Sequence, residues 1–126
     1  MGVFYAKVCI MHRNAEKDLT DWLQGKRRKP LIIRGARQVG KSTLVRNFVK
    51  SNQLRLFEIN LEKHPHLDKV FATFNVNMIL REMSSVIKEE ITPNNSVLFL
   101  DEIQSTPHAI QALRYFYEDM PELPVI

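Results

Sequence analysis

The sequence predicts an α/β fold, a parallel sheet with helices on both faces. Three observations predict it. Short apolar runs alternate with stretches of helical periodicity. A loop bracketed by glycines joins one such run to the helix that follows. A later apolar run ends in two carboxylates. Parallel neighbours in a sheet need a crossover, usually a helix, so alternation of this kind reads as a parallel sheet covered on both sides.

The loop is Gly35-Ala36-Arg37-Gln38-Val39-Gly40-Lys41-Ser42. It matches G-x-x-x-x-G-K-[ST], the phosphate-binding loop of P-loop nucleotidases. Leu31-Ile32-Ile33 before it reads as a buried strand, and Leu44, Val45, Phe48 and Val49 after it fall at helical spacing. The motif therefore sits on strand, loop and helix, the setting that gives it meaning. Gly35 and Gly40 permit backbone angles and a close approach that a Cβ would obstruct. The loop's N–H groups can then turn inward as an anion nest, and the helix start adds unpaired N–H groups and the positive end of its dipole. The candidate nucleotide-binding set is Gly35, Ala36, Arg37, Gln38, Val39, Gly40, Lys41, Ser42 and Thr43. Lys41 would reach the β- and γ-phosphates, and the Ser42 hydroxyl would ligate Mg²⁺. The alternative is a glycine-containing turn beside an exposed lysine.

The second motif, Val97-Leu98-Phe99-Leu100-Asp101-Glu102, argues against that alternative. Ligands bind at the carboxyl ends of parallel strands, and buried parallel strands read as continuous apolar runs. Asp101 would hold Mg²⁺ together with Ser42, and Glu102 would orient and activate the attacking water. Glu102 and Lys41 are thus the candidate catalytic residues, and Ser42 and Asp101 the candidate metal ligands. Taken alone, the acidic pair could equally be a helix cap or a solvated turn.

Composition bounds the rest. The chain has 126 residues, 44% of them apolar, enough for one domain with a core. The formal charge of +4 equals the run Lys26-Arg27-Arg28-Lys29. Such a run can touch nucleic acid but is more often a solvated loop, and no aromatics interleave it. Cys9 is the single cysteine, so no internal disulfide is possible, which suits a cytoplasmic location. His64, His66 and His108 lack zinc spacing, and no apolar stretch is long enough for a membrane span.

Residues 1–11 are mostly apolar, with Lys7 as the break; a short strand, a tail, or an extension upstream of Met11 all fit. Asn14 is a candidate N-cap for a helix carrying Ala15, Leu19, Trp22 and Leu23, which Gly25 would end. Pro30 opens the strand before the loop. Residues 54–61 read as a second strand and 62–68 as a loop with a short turn. Asn75 or Asn77 would cap a helix whose apolar face is Ile79, Leu80, Met83, Val86 and Ile87. Thr106-Pro107 gives an N-cap followed by proline in the first helical position. The stripe Ala109, Ile110, Leu113, Phe116 and Tyr117 would be buried, and Tyr115-Phe116-Tyr117 reads as core plus surface more readily than as a base-stacking platform. Val125-Ile126 begins another apolar run.

Arg34-Gly35-Ala36-Arg37-Gln38-Val39-Gly40-Lys41-Ser42-Thr43, with Lys29-Pro30-Leu31 before it and Leu100-Asp101-Glu102-Ile103-Gln104 later, resembles a known family. It is similar to the uncharacterised prokaryotic AAA+-type P-loop ATPases that carry a C-terminal domain of unknown function. The resemblance covers residues 11–126. It implies ATP and Mg²⁺ binding, with Lys41, Ser42, Asp101 and Glu102 in the roles given above. It also implies a longer protein with a polar sensor residue, a lid and an arginine, none of which a residue here matches. On that reading residues 11–126 are the N-terminal part of an AAA+-type domain, truncated at the start of the fourth strand, and residues 1–10 are a non-native or flexible extension. The resemblance further implies that the fourth strand, begun by Val125-Ile126, lies between the P-loop strand and the strand at 97–102.

The function so read is an ATP-binding P-loop module of an AAA+-type ATPase, with Mg²⁺-dependent hydrolysis in the full-length family and impaired hydrolysis in this short chain. The alternatives are an interaction module that retains a nucleotide site, or a non-functional gene fragment. Expected partners are the nucleotide and a protein partner or a second copy. Nucleic acid is weakly supported, and no membrane is expected.

Overall fold

The computed structural model describes residues 6–9, 15–25, 29–34 and 40–126. Four strands lie within them: β1 (Ala6–Cys9), β2 (Leu31–Arg34), β3 (Arg55–Asn60) and β4 (Ser96–Asp101). Five helices accompany them: α1 (Ala15–Leu23), α2 (Lys41–Ser51), α3 (Leu67–Phe71), α4 (Val76–Ile87) and α5 (Pro107–Asp119). β1 pairs in parallel with β2, and β3 with β4. The α/β class is as the sequence predicts.

The two strand pairs are joined by residues 124–126. Val125 forms a parallel bridge with Leu98. The Leu31 N–H donates to the Val125 carbonyl at 2.9 Å, and the Leu98 and Leu100 N–H groups donate to Pro124 and Ile126 at 2.8 Å. The spatial order is therefore β1, β2, residues 124–126, β4, β3. This is where the resemblance placed Val125-Ile126, between the two motif-bearing strands.

Side chains alternate across this surface because successive residues of a strand point to opposite faces. Val97, Phe99 and Ile126 face one way and pack with Leu31, with Leu19 of α1 and with Val45, Phe48 and Val49 of α2. Leu98, Leu100 and Val125 face the other way, with Phe57 and Ile59 of β3, and meet α3, α4 and α5. Each large side chain buried in this way stabilises the fold by roughly 1.5–3 kcal/mol. Two cores thus share one central strand, β4, whose residues 96–100 are all buried.

Several local expectations change. Of the alternatives left open for the first residues, Ala6–Cys9 takes that of a strand, in register with β2 from Ala6 opposite Leu31 to Cys9 opposite Arg34. The expected loop at 62–68 begins in a 3₁₀ turn (Leu61–Lys63) and runs into α3, which buries Leu67 and Phe71. Asn75, not Asn77, caps α4, accepting from the Met78 N–H at 3.1 Å. On α5 the buried stripe is Ala109, Ala112, Leu113 and Phe116. Ile110 is exposed and Tyr117 half-buried, so the buried flank runs through Ala112 instead. Tyr115 stacks on Phe74 with ring centres 5.1 Å apart. Asn14 and residues 26–28 lie outside the described residues.

The start of α5 differs most. Thr106 stands in the N-cap position and Pro107 in the first helical position, as the sequence suggests, but the Thr106 hydroxyl bonds back to the Ile103 carbonyl. The capping acceptor is Asp68 of α3, which takes the His108 N–H at 3.0 Å through Oδ1 and the imidazole Nδ1 at 2.9 Å through Oδ2. These hydrogen bonds hold the Asp68 carboxyl below its ordinary value of 3.8.

Two outcomes follow from this architecture. Removing residues 1–10 strips a parallel partner from β2, and the melting temperature should fall; an unchanged melt would show that β1 adds no stability. Asp68 favours the folded state when ionised, so its contribution is complete above pH 3.8 and is lost as pH falls below that value. Thermal melts of Asp68→Asn should lack that acid-side loss. A wild type and variant with parallel pH profiles would contradict the assignment.

Candidate functional site

β2 and β4 both deliver their carboxyl ends to the same edge of the sheet. α2, which follows β2, packs on one face of the sheet, and α5, which follows β4, packs on the other, the arrangement of a topological switch point. In open parallel sheets ligands bind outside the carboxyl ends of the strands at such a point. Residues 35–39 of the glycine loop lie outside the described residues. The loop's last residue, Gly40, has φ 79° and stands as N-cap of α2. That left-handed angle strains any residue with a Cβ, although space for a Cβ exists there.

Lys41, Ser42 and Thr43 form the first turn of α2. The first backbone bond of the helix runs from the Leu44 N–H to the Gly40 carbonyl at 2.9 Å. The three N–H groups before it have no partner within the helix. The first turn holds no acidic side chain and, among the described residues, no side-chain cap. It carries Lys41 instead, a cation at the positive end of the helix dipole. That placement disfavours the isolated helix and favours a bound anion.

Ser42 and Asp101 meet at this edge of the sheet. The Ser42 hydroxyl donates to Asp101 Oδ2 at 3.4 Å, although 59 positions separate the two in the chain. The contact exists because Asp101 follows Val97 and Phe99 on the α2 face of β4, while Ser42 precedes Val45 and Phe48, the residues that dock α2 onto that face.

Glu102 ends the strand geometry. Its φ of 57° is left-handed, and its N–H donates to Asp101 Oδ1 at 3.0 Å. In a continuing strand Asp101 and Glu102 would face opposite sides of the sheet; this turn breaks the alternation and starts a 3₁₀ segment (Ile103–Ser105). The Gln104 amide donates to Glu102 Oε2. The sequence reading missed one further charged pair beside the site. Arg46, one turn after Ser42, makes a two-pronged bond to Glu58 of β3, Nε to Oε1 at 3.0 Å and Nη2 to Oε2 at 2.7 Å. The four-residue offset from Ser42 to Arg46 is the sequence signal that could have found it.

The donor set can be tested against Mg²⁺. Among the described residues no group of three or more His, Cys, Asp or Glu side chains gathers. Ser42 and Asp101 do converge, one hydroxyl and one carboxylate oxygen. Mg²⁺ is usually held by one or two protein oxygens with waters and substrate phosphates, so the pair fits it.

A parallel sheet between two helical layers, a glycine opening the helix that follows β2 and a carboxylate at the end of β4 define a P-loop-like α/β nucleotide-binding domain. Comparison with known families gives the same class: the profile described as "AAA domain" matches residues 27–126. The chain belongs to the AAA domain family, and is an ATPase-like nucleotide-binding module. Searches of curated proteins and of solved structures gave no match. No helix among the described residues is long and apolar enough to cross a membrane.

The left-handed Glu102 gives a prediction. A residue with a Cβ is held there at a cost of about 1 kcal/mol or somewhat more. Asparagine tolerates this region better, so Glu102→Asn should raise the melting temperature slightly. A clear loss of stability would mean that the Glu102 carboxylate is part of the structural frame.

Proposed function

We propose that the chain binds ATP with Mg²⁺ at the carboxyl ends of β2 and β4, and that Glu102 serves hydrolysis of the γ-phosphate. The Ser42–Asp101 contact carries this reading, since it brings an oxygen from the glycine-loop helix against an oxygen from the acidic strand. The three N–H groups of Lys41, Ser42 and Thr43 at the bare start of α2 bind the phosphates. Lys41 places its ammonium against the β- and γ-phosphates. Ser42 and Asp101 hold Mg²⁺, which when bound draws charge from the phosphate oxygens.

Glu102 accepts a hydrogen bond from a water and aims it at phosphorus. Its carboxylate is steadied by Gln104, and its own backbone N–H fixes Asp101. Supporting this division of labour, the turn at Glu102 frees the second carboxylate from the strand's alternation, so the two can act at one end of the sheet.

Titration of the chain with labelled ATP tests the reading. Lys41→Ala should weaken binding by about 1.5–3 kcal/mol, the value of a charge-assisted contact. Glu102→Gln should keep ATP bound and lose turnover, whereas Asp101→Asn should lose the Mg²⁺ dependence of binding. Equal ATP affinity in wild type and Lys41→Ala would reject the site.

A further inference from the structure

The Arg46–Glu58 pair stands beside the proposed cation site without a role in it. Its placement is set by two registers. Arg46 follows Ser42 by four residues, about 6 Å along the axis of α2 and on nearly the same side of it. Glu58 precedes Asn60 by two residues, and Asn60 is the register partner of Asp101. The Glu58 carboxylate therefore lies on the α2 face of the sheet, set back about 7 Å along the strands from Asp101. The charges of both carboxylates act on the Arg46 guanidinium.

The structure shows which one it takes. Both prongs go to Glu58, at 3.0 and 2.7 Å. The bond and charge of Glu58 raise the Arg46 guanidinium further above its ordinary value, and the charge of Asp101 adds to that pull from farther away. Arg46 is exposed and Glu58 largely covered, so the arginine is the partner free to swing. A guanidinium on Asp101 would occupy, with a fixed positive charge, the oxygens that a divalent cation needs.

We propose that Glu58 is a positioning residue for the cation site: by holding Arg46 in a two-pronged bond it keeps the guanidinium off Asp101 and leaves Asp101 and Ser42 to a divalent cation. This rests on the reading of Ser42 and Asp101 as cation ligands. The charges are then consistent. Arg46 and Glu58 cancel each other, Lys41 is left to the phosphates, and Asp101 keeps its negative charge for the metal.

The pair could instead be a simple brace between α2 and β3, and the two roles make different demands. A brace is broken equally from either end. A sequestered cation is not: losing Glu58 releases the arginine onto Asp101, whereas losing Arg46 removes the competitor. The experiment is a titration of the full 126-residue chain with Mn²⁺ in the presence of ATP, followed by electron paramagnetic resonance. ATP binding in EDTA and a thermal melt are recorded for each variant. Glu58→Gln should weaken Mn²⁺ binding about tenfold, the usual scale for an outer partner of a metal ligand. Arg46→Gln should leave it unchanged, and the double variant should behave as Arg46→Gln.

Equal weakening by the two single variants would overturn the proposal in favour of a brace. So would a Glu58→Gln chain that binds Mn²⁺ normally, or a double variant as weak as Glu58→Gln. Failure of the underlying reading has a different signature: wild type would then bind no Mn²⁺ with ATP, and the proposal would fall with it.

Discussion

The hydroxyl of Ser42 and the carboxylate of Asp101 come from the beginning of a helix and the end of a strand, 59 positions apart. Their meeting depends on how α2 lies on the sheet. Val45, Phe48 and Val49 press into Val97 and Phe99, and that apolar contact sets the height of the helix relative to β4. A shift of one residue along β4 would turn Asp101 to the opposite face, because strand side chains alternate. The polar site is thus positioned by an apolar register, and the two cores on either side of β4 hold the register from both faces.

The same logic explains residues 124–126. They lie between the two strands that carry the site and bond to both, through Leu31 on one side and Leu98 and Leu100 on the other. Val125 fills the core of α3, α4 and α5, while Ile126 fills the core of α1 and α2. A short segment therefore fixes the lateral spacing of β2 and β4. Around the site, polar side chains are arranged in matched sets, with Arg46 held by Glu58 and His108 by Asp68. The second set fastens α5 immediately after the turn that carries Glu102 and Gln104.

Much of this was legible in the sequence. Gly40 announces a left-handed turn, since glycine is the residue that adopts one without strain. Val97-Leu98-Phe99-Leu100 announces a strand buried on both faces, and all four are buried. Asn75 and Pro107 mark the helix starts through local chemistry that needs no partner from elsewhere. The weaker signals came from segments whose structure depends on distant contacts. Ala6–Cys9 becomes a strand by pairing with β2. α3 spans only five residues, too few to show a helical period, and exists because Leu67 and Phe71 are drawn into a core. Ala112, not Ile110, lies in the buried stripe of α5, because the core it packs on sets which flank is covered.

By itself the sequence determined the class of fold and named candidate residues for a phosphate and a cation. These follow from short-range rules: the freedom of glycine, the dipole of a helix start, and the alternation of apolar runs. Tertiary structure alone decided which groups face one another. It set Ser42 against Asp101, gave Arg46 to Glu58, capped α5 with Asp68 in place of Thr106, and turned the chain at Glu102. Each of those choices joins residues far apart in the chain or bends the backbone against its local preference. Only packing on both faces of the sheet supplies the energy to hold them.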